Sequence, residues 1–462
     1  MDTVARVHWG TGNRGVVVSK TRRVMLMAAA LGATLSLVAV GCGNSDSSGS
    51  STTEKSNGSD TTNSSGSVVS ITGVPGVTDT EIRVGGVAST TNPLGGTQGS
   101  AFDGAQAYFD KVNDEEGGVH GRKIVLVSKR DDKLSSNADE VKGLLEQDNV
   151  FAVLPVAVLL FSGADQLVEQ NVPTFGWTIN DEWGGTAEQP RLNMFGQAGS
   201  YLGIGTATKN TPYLVNKAGR HKVGLLAYNV PQSAGCLDGY VASFDKYGDE
   251  ADASVVFKDA SLSFGTTDLS VQVQKMKEAG VDVVATCMDN NGVVTVAKEL
   301  KKQNLDAIQL LPNSYDQSTM DEFGDLFEGS YAYISETPLE ADPEPDAMAE
   351  FKAAMEKADT AINENSYVGW INATQFVQGL KDAGPQFDRQ KVIDAINKQT
   401  DYKADGLVAG IDWTTAHTEP GPDNCFALLE IKDSKFVPQT EEKGKYFTCI
   451  ENAGMSLEPT FK

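Results

Sequence analysis

From Ile82 onward the chain alternates short apolar runs with amphipathic stretches. "IRVGGVA" is an apolar strand; after it, Phe102, Ala105, Tyr108 or Phe109, and Val112 recur at three- and four-residue spacing, the period of a helix with one buried face. Gly117 and Gly118 stop that helix. "KIVLVSK", "VFAVLPV" and "VPTFGWT" read as the next strands, with "NADEVKGLLEQDN" and "GADQLVEQN" as the helices between them. The rhythm restarts with strands "KVGLLAY", "ASVVFKD", "VDVVATC" and "AIQLLPN", separated by helices "LDGYVASFDKYG", "TDLSVQVQKMKEAG" and "VVTVAKELKKQN". Three further helices follow ("DAMAEFKAAMEKAD", "SYVGWINATQFVQGLKDAG" and "DRQKVIDAINKQ"), and then a short β segment closes the chain.

Parallel strands need helical crossovers, so two successive βα runs predict an α/β fold of two lobes, each a parallel sheet flanked by helices. The expected boundaries are residues 68–200 and 337–400 for lobe 1, and 201–336 and 401–462 for lobe 2. Ligands of such sheets bind beyond the carboxyl ends of the strands, which directs attention to the loops there.

The glycine-rich loop after the first strand is the obvious candidate for phosphate. It has no lysine where a P-loop requires one, and it lacks the Gly-x-Gly-x-x-Gly spacing of a dinucleotide fold. No Gly-x-Ser-x-Gly elbow or paired His-Glu metal spacing is present, and His8, His120, His221 and His417 are scattered. Neither cofactor nor metal is expected, and an enzyme reading has little support.

The N-terminus reads as an address. Lys20, Arg22 and Arg23 precede the apolar run "VMLMAAALGATLSLVAV", and Ala39-Val40-Gly41-Cys42 follows. The arrangement resembles a bacterial lipobox, with Ala39 where leucine is usual. The expectation is a lipoprotein signal over residues 1–41, lipidation at Cys42, and anchoring to the outer face of the cytoplasmic membrane. Residues 42–67 are rich in Ser and Gly with nothing apolar to bury, as suits a disordered tether. Net charge is −24, and the first 41 residues contribute +4, so a chain starting at Cys42 carries −28. That balance argues against nucleic acid as a partner.

Four cysteines remain: Cys236, Cys287, Cys425 and Cys449. An even number in an exported chain points to two disulfides. Three pairings are possible. The sequential one is expected, because "CFALLEI" and "KYFTC" read as two strands of a hairpin that brings Cys425 to Cys449.

Three phrases carry a family resemblance. "IRVGGVASTTNPLGGTQG" runs on into "AFDGAQAYFDKVNDEEGGVHGRKIVLVSKRDD"; "LLEQDNVFAVLPV" is followed by "ADQLVEQNVPTFG"; and the third is "DLSVQVQKMKEAGVDVVATCMDNNGVVTVAKELKKQNL". Their order over roughly Val77 to Gly384 resembles type I periplasmic binding proteins, the solute receptors of ABC importers, of the leucine/isoleucine/valine-binding kind. The resemblance implies two lobes joined by a three-strand hinge, acting as a monomer, closing on a small molecule and presenting it to a membrane permease. The glycine-rich loop becomes a cleft wall, with Thr90, Thr91 and Asn92 offering hydrogen bonds.

In amino-acid-binding members a serine after "FAVLP" and an Ala-Thr pair after the next strand hold the α-carboxylate, while acidic and tyrosine groups of the second lobe hold the amine. This chain departs from that pattern. Its loop reads "VAVLLFSG", apolar until Ser162, and the Ala-Thr region reads "GWTIN", with Trp177 and Thr178. On the far lobe "YNVPQ", "CMDNN" and "LPNSYD" bring Tyr228, Asn229, Gln232, Asp289, Asn290, Asn313 and Tyr315 to the cleft. Asp289 either holds an amine or caps the next helix; Trp177 either lines the cleft or packs as core. Tyr367 and Trp370 read as core, and the acidic run "SETPLEADPEPDAMAE" as a solvated crossover and helix start, with a calcium site as the competing reading. An uncharged or weakly charged ligand with a flat or apolar face fits these residues, be it an amino acid, an amide or an aromatic compound. A ligand-sensing lipoprotein of the same fold is the alternative.

Overall fold

The computed structural model describes residues 69–462 apart from 312 and 313. The signal, Cys42 and the tether fall outside the described residues, as does Asn313. No described helix is long and apolar enough to cross a membrane.

Lobe 1 opens with β1 (Glu81–Ala88), α1 (Ala101–Glu115), β2 (Lys123–Asp131), α2 (Asn137–Glu146), β3 (Ala152–Ala157), α3 (Ala164–Glu169), β4 (Thr174–Gly176) and β5 (Met194–Gly196). The strands form one parallel sheet in the order β2-β1-β3-β4-β5. All six residues of β3 are buried, as expected for a central parallel strand with helices on both faces.

Lobe 2 continues with α4 (Asn210–Lys217), β6 (Lys222–Tyr228), α5 (Pro231–Ala251), β7 (Ser254–Leu262), α6 (Ser270–Ala279), β8 (Val283–Cys287), α7 (Asn290–Gln303), β9 (Ile308–Leu311), α8 (Gln317–Phe323) and β10 (Tyr331–Ile334). The chain then returns to lobe 1 for α9 (Asp346–Lys357), α10 (Glu364–Ala383) and α11 (Arg389–Ile396). It ends in lobe 2 with β11 (Asp423–Lys432), β12 (Lys435–Pro438), β13 (Phe447–Glu451) and β14 (Pro459–Phe461). The second sheet runs β14-β13-β11-β10-β9-β8-β6-β7, parallel from β7 to β10 and antiparallel beyond, with β12 paired to β11.

The short elements β5, α4, α8, β10 and β14 have no counterpart in the periodicity reading. Each is too brief to show a period of its own. Cys425 and Cys449 do sit opposite each other on antiparallel strands. The hairpin partner of β11 is β12, however, and β13 joins the other end of β11.

Helices α1 and α10 fix lobe 1 by close approach. A Cβ on Gly104 would lie 1.7 Å from the Ser366 carbonyl oxygen, and one on Gly369 would lie 2.1 Å from that of Ala101. Tyr367 and Trp370 on α10 pack in the core of this lobe beside Tyr108 and Phe351. The same core takes in Tyr402, Leu407, Val408, Ile411 and Trp413. Lobe 1 therefore extends past residue 400, the expected boundary, because those side chains bury against Phe195 and its neighbours before the chain crosses back.

Three segments cross between the lobes, around residues 197–209, 335–345 and 414–422. The first and third are tied to each other, the Ser200 and Tyr201 amides donating to the Ala416 carbonyl at 2.9 and 2.8 Å. The second is tied to lobe 1, where the Thr337 amide donates to the Leu407 carbonyl at 2.9 Å. The acidic run at the second crossing is not simply solvated. Glu336 and Thr337 are buried, and Glu340 accepts a hydrogen bond from the Tyr315 hydroxyl.

Candidate functional site

A cavity of about 550 Å³ opens beyond the carboxyl ends of β1, β3, β4, β6, β8 and β9, between the lobes. A second cavity, about 610 Å³, lies against the crossing segments and is lined by charges of both signs, including Lys246, Asp412 and Lys462. The first has strand ends of both sheets for walls, which makes it the candidate site.

On the lobe 1 side the wall starts with Leu94 to Gln98. Gly95 and Gly96 take positive φ (76° and 101°), a turn that suits glycine and leaves the backbone bare. Thr90, Thr91 and Asn92 do not line the cavity; they build the loop. The Thr91 amide donates to Asp131 Oδ1 at 3.0 Å, Asn92 Nδ2 donates to the Ser89 carbonyl at 2.7 Å, and Asn92 Oδ1 accepts from the Leu94 amide at 2.9 Å. These short polar side chains close the turn locally, as Asx residues do.

Trp177 and Thr178 do lie on the wall. Both sit one or two residues past β4, half-buried. Thr178 donates its hydroxyl to the Gly199 carbonyl at 3.1 Å, so that hydrogen is already committed. Trp183, not Trp177, is the tryptophan of the adjoining core.

On the lobe 2 side Tyr228, Gln232, Asp289, Asn290 and Tyr315 all reach the wall, while Asn229 is exposed and lies off it. Asp289 caps α7, accepting from the Asn291 amide at 3.1 Å, and its other oxygen accepts from the Tyr228 hydroxyl. Burial lifts the Asp289 carboxyl above its ordinary range, and burial together with the Asp289 charge lifts the Tyr228 phenol. Tyr315 presents only its ring, because its hydroxyl donates to Glu340 and accepts from the Leu339 amide at 2.7 Å. Asn290 donates to the Thr319 hydroxyl at 2.7 Å and leaves its buried Oδ1 without a partner.

The sequence pattern alone had not pointed to Gln98, Asp316, Glu364, Asn365, Phe264, Tyr240 or Tyr333, all of which also line the cavity. Glu364 and Asn365 open α10 at the lobe 1 rim, and the Asn363 capping box just before them is a legible helix-start signal. Nothing in the sequence shows that this particular helix start faces the cleft. Burial, then repulsion from Glu336 and Asp316, holds the Glu364 carboxyl well above its ordinary range.

Two bonds span the cleft. Gln232 on α5 donates to the Leu159 carbonyl at 3.1 Å, and Asn291 on α7 donates to that of Leu94. Cys236 is bonded to Cys287, and Cys425 to Cys449; three of these four cysteines line the cavity. Among the described residues no cluster of His, Cys, Asp or Glu is placed to hold a metal ion.

The periplasmic binding protein family model matches residues 81–435, most of the chain. The chain belongs to that family. Periplasmic binding proteins are solute-binding components of transport systems rather than a class of enzyme, and the family is extracytoplasmic. Solved structures agree on the fold. A branched chain amino acid ABC transporter protein from Thermus thermophilus with bound valine gives a TM-score of 0.63 at 18% identity, covering 78% of this chain and 96% of that one. A fatty acid ABC transporter substrate-binding protein from Thermomonospora curvata gives 0.64 at 19%, covering 84% and 97%. A solute-binding protein from R. palustris in complex with benzoate gives 0.60 at 17%, covering 78% and 95%. A comparison with curated proteins gives no match.

Proposed function

We propose that this periplasmic binding protein captures a small polar or amphipathic molecule between two closing lobes and delivers it to an ABC-type permease. The observation that carries the reading is the cavity itself, walled by strand ends of both sheets and spanned by bonds from Gln232 and Asn291 to the opposite lobe. Such bonds belong to a closed state that a ligand stabilises by touching both walls at once. Solved relatives of this fold are described with valine, with fatty acid transport and with benzoate, so the fold accommodates ligands of several chemistries. Trp177, Thr178, Tyr228, Gln232, Asp289, Asn290 and Tyr315 are the proposed contacts. Lipidation at Cys42 would hold the protein beside its permease.

The test is thermal unfolding of the exported chain against amino acids, amides, amines, purines, aromatic acids and sugars. A ligand at 100 times its dissociation constant stabilises the folded state by about 2.7 kcal/mol, enough to raise the midpoint visibly. A rise with one chemical class supports the reading. No rise with any of them, in a protein that unfolds cooperatively, overturns it.

A further inference from the structure

Resting on the receptor reading, the chemistry of the cavity wall narrows the class of solute. Among the described residues no lysine, arginine or histidine lines the cavity, whereas Asp289, Asp316 and Glu364 do. Two of those carboxylates are occupied. Asp289 serves the Tyr228 hydroxyl and the α7 N-terminus, and Asp316 accepts from the Ser318 and Thr319 amides at the start of α8. These caps answer the dipoles of α7 and α8, whereas α5, which also starts on the wall at Val230, Gln232 and Ser233, has no side-chain cap.

Glu364 is different. Among the described residues its carboxylate has neither a hydrogen-bond donor nor a salt-bridge partner, though it stands half-buried on the wall. Gln98 stands on the same side of the cleft: Asn365, next to Glu364, donates to the Thr97 hydroxyl at 3.0 Å. Gln98 is only 6% exposed, and its Oε1 is buried with no donor. Across the cavity the buried Oδ1 of Asn290 is in the same condition. Among the described residues, the buried side-chain atoms on the wall that lack a partner, Gln98 Oε1, Asn210 Oδ1 and Asn290 Oδ1, are all acceptors. Buried acceptors without donors are costly, and a carboxylate without a counter-charge more so. Around them stand the rings of Trp177, Tyr228, Tyr240, Phe264, Tyr333 and Phe426. Aromatic faces attract cations and tolerate apolar bodies.

We infer that the solute is an organic cation without a carboxylate, an amine, amidine or guanidine on an apolar or aromatic body, whose donors meet Glu364 and Gln98 on lobe 1 and Asn290 on lobe 2. A ligand carboxylate would meet no cationic side chain among the described residues of this wall and would face Glu364.

The experiment uses the full exported chain and isothermal titration with four compounds sharing one body: phenethylamine, phenethyl alcohol, 3-phenylpropionate and L-phenylalanine. A diamine and a guanidinium compound, putrescine and agmatine, extend the set. The cationic compounds are expected to include the tightest binder, at least about tenfold ahead of any uncharged or carboxylate compound, as suits a charge-assisted bond. Glu364→Gln should remove that preference. Gln98→Leu, which deletes the orphan acceptor and leaves Glu364 in place, should weaken the same compound without changing which charge is preferred. A hit confined to alcohols, carboxylates or the zwitterion overturns the cation inference and leaves the receptor reading standing. Silence from this set and from the wider solute panel sinks both. A cation that binds wild type and Glu364→Gln equally well removes Glu364 from the site and overturns the inference as stated.

Discussion

In lobe 2 the cleft wall is cross-linked: Cys236 near the start of α5 is bonded to Cys287 at the end of β8, and Cys425 to Cys449 across β11 and β13. In lobe 1 the facing wall is a loop held by single side chains. Asn92 and Asp131 close its turn, and Ser89 Oγ accepts from the Leu159 amide at 3.0 Å. Both cross-cleft bonds run the same way, from a side-chain amide of lobe 2 to a backbone carbonyl of lobe 1. The contrast separates a wall fixed by covalent bonds from one that can adjust to what it closes on. Its energetic content can be tested from either side.

The largest effect is expected on the fixed side. Replacing Cys236 and Cys287 by serine frees a loop with a sequence separation of 51. In the chain-entropy account this costs about 4 kcal/mol. Removing the pair at Cys425 and Cys449, with a separation of 24, should cost less, about 3 kcal/mol. Denaturant unfolding at neutral pH measures both. Equal midpoints for wild type and the first double variant would mean that lobe 2 does not depend on its staple.

Lobe 1 carries a buried, acid-sensitive histidine. His417 is buried between Phe195 and Trp413, and burial pushes its imidazole down from 6.5 to about 4. The unfolded chain takes up a proton as pH falls through about 6.5, while the folded chain resists until about 4. Stability is therefore fully present above the upper value and is lost across that window, by about 3 kcal/mol from this residue. In lobe 2 the buried Tyr240 and Tyr333 hydroxyls, paired at 3.0 Å, have their ionisation pushed above the ordinary phenol value and so lie silent at acid pH. The stability difference between wild type and His417→Gln should change between pH 7 and pH 4; a constant difference would refute the assignment.

The α1–α10 crossing tests lobe 1 by packing instead. Gly104→Ala places a methyl 1.7 Å from the Ser366 carbonyl oxygen, a clash with backbone that no rotamer relieves. The helices must separate, at about 2–3 kcal/mol. Gly73→Ala offers a control, since nothing lies within 4 Å of its Cβ position, although its positive φ carries its own modest strain. If Gly104→Ala costs no more than that control, the close approach is not what holds the lobe.

Much of this was legible in the sequence because buried parallel strands and amphipathic helices advertise their period. "VFAVLPV" and "VDVVATC" became β3 and β8 almost unchanged. The strand ends led to Trp177, Tyr228 and Asp289, which line the cavity. What escaped depends on tertiary packing. The stretch from Asp405 to Trp413 reads in sequence as part of the closing β segment, yet with Tyr402 and Ala404 it completes the lobe 1 core. Glu364 sits at an ordinary helix start whose position is set by where α10 docks on α1. Thr90, Thr91 and Asn92 looked like ligand donors because they are polar and follow β1; their neighbours Asp131 and Ser89 engage that loop first. Composition shows which groups can hydrogen-bond, whereas only the fold shows which are already satisfied.

The smallest effect concerns the boundary between the two walls. Gln232→Ala deletes the bond to Leu159 while leaving α5, the staple and the lobe 1 loop in place. One such bond contributes about 1 kcal/mol to the closed arrangement. The closed population should therefore fall by about fivefold relative to the open one. Unfolding without ligand should barely change, because neither core includes this side chain. Ligand affinity should drop by at least about that factor, since Gln232 is also a proposed ligand contact, and small-angle scattering of the unliganded protein should show a larger radius of gyration. Adding Asn291→Ala, which removes the bond to Leu94, should compound the loss. If neither affinity nor radius moves in the double variant, closure is driven by the ligand alone, and the fixed and adjustable walls meet without any direct grip on each other.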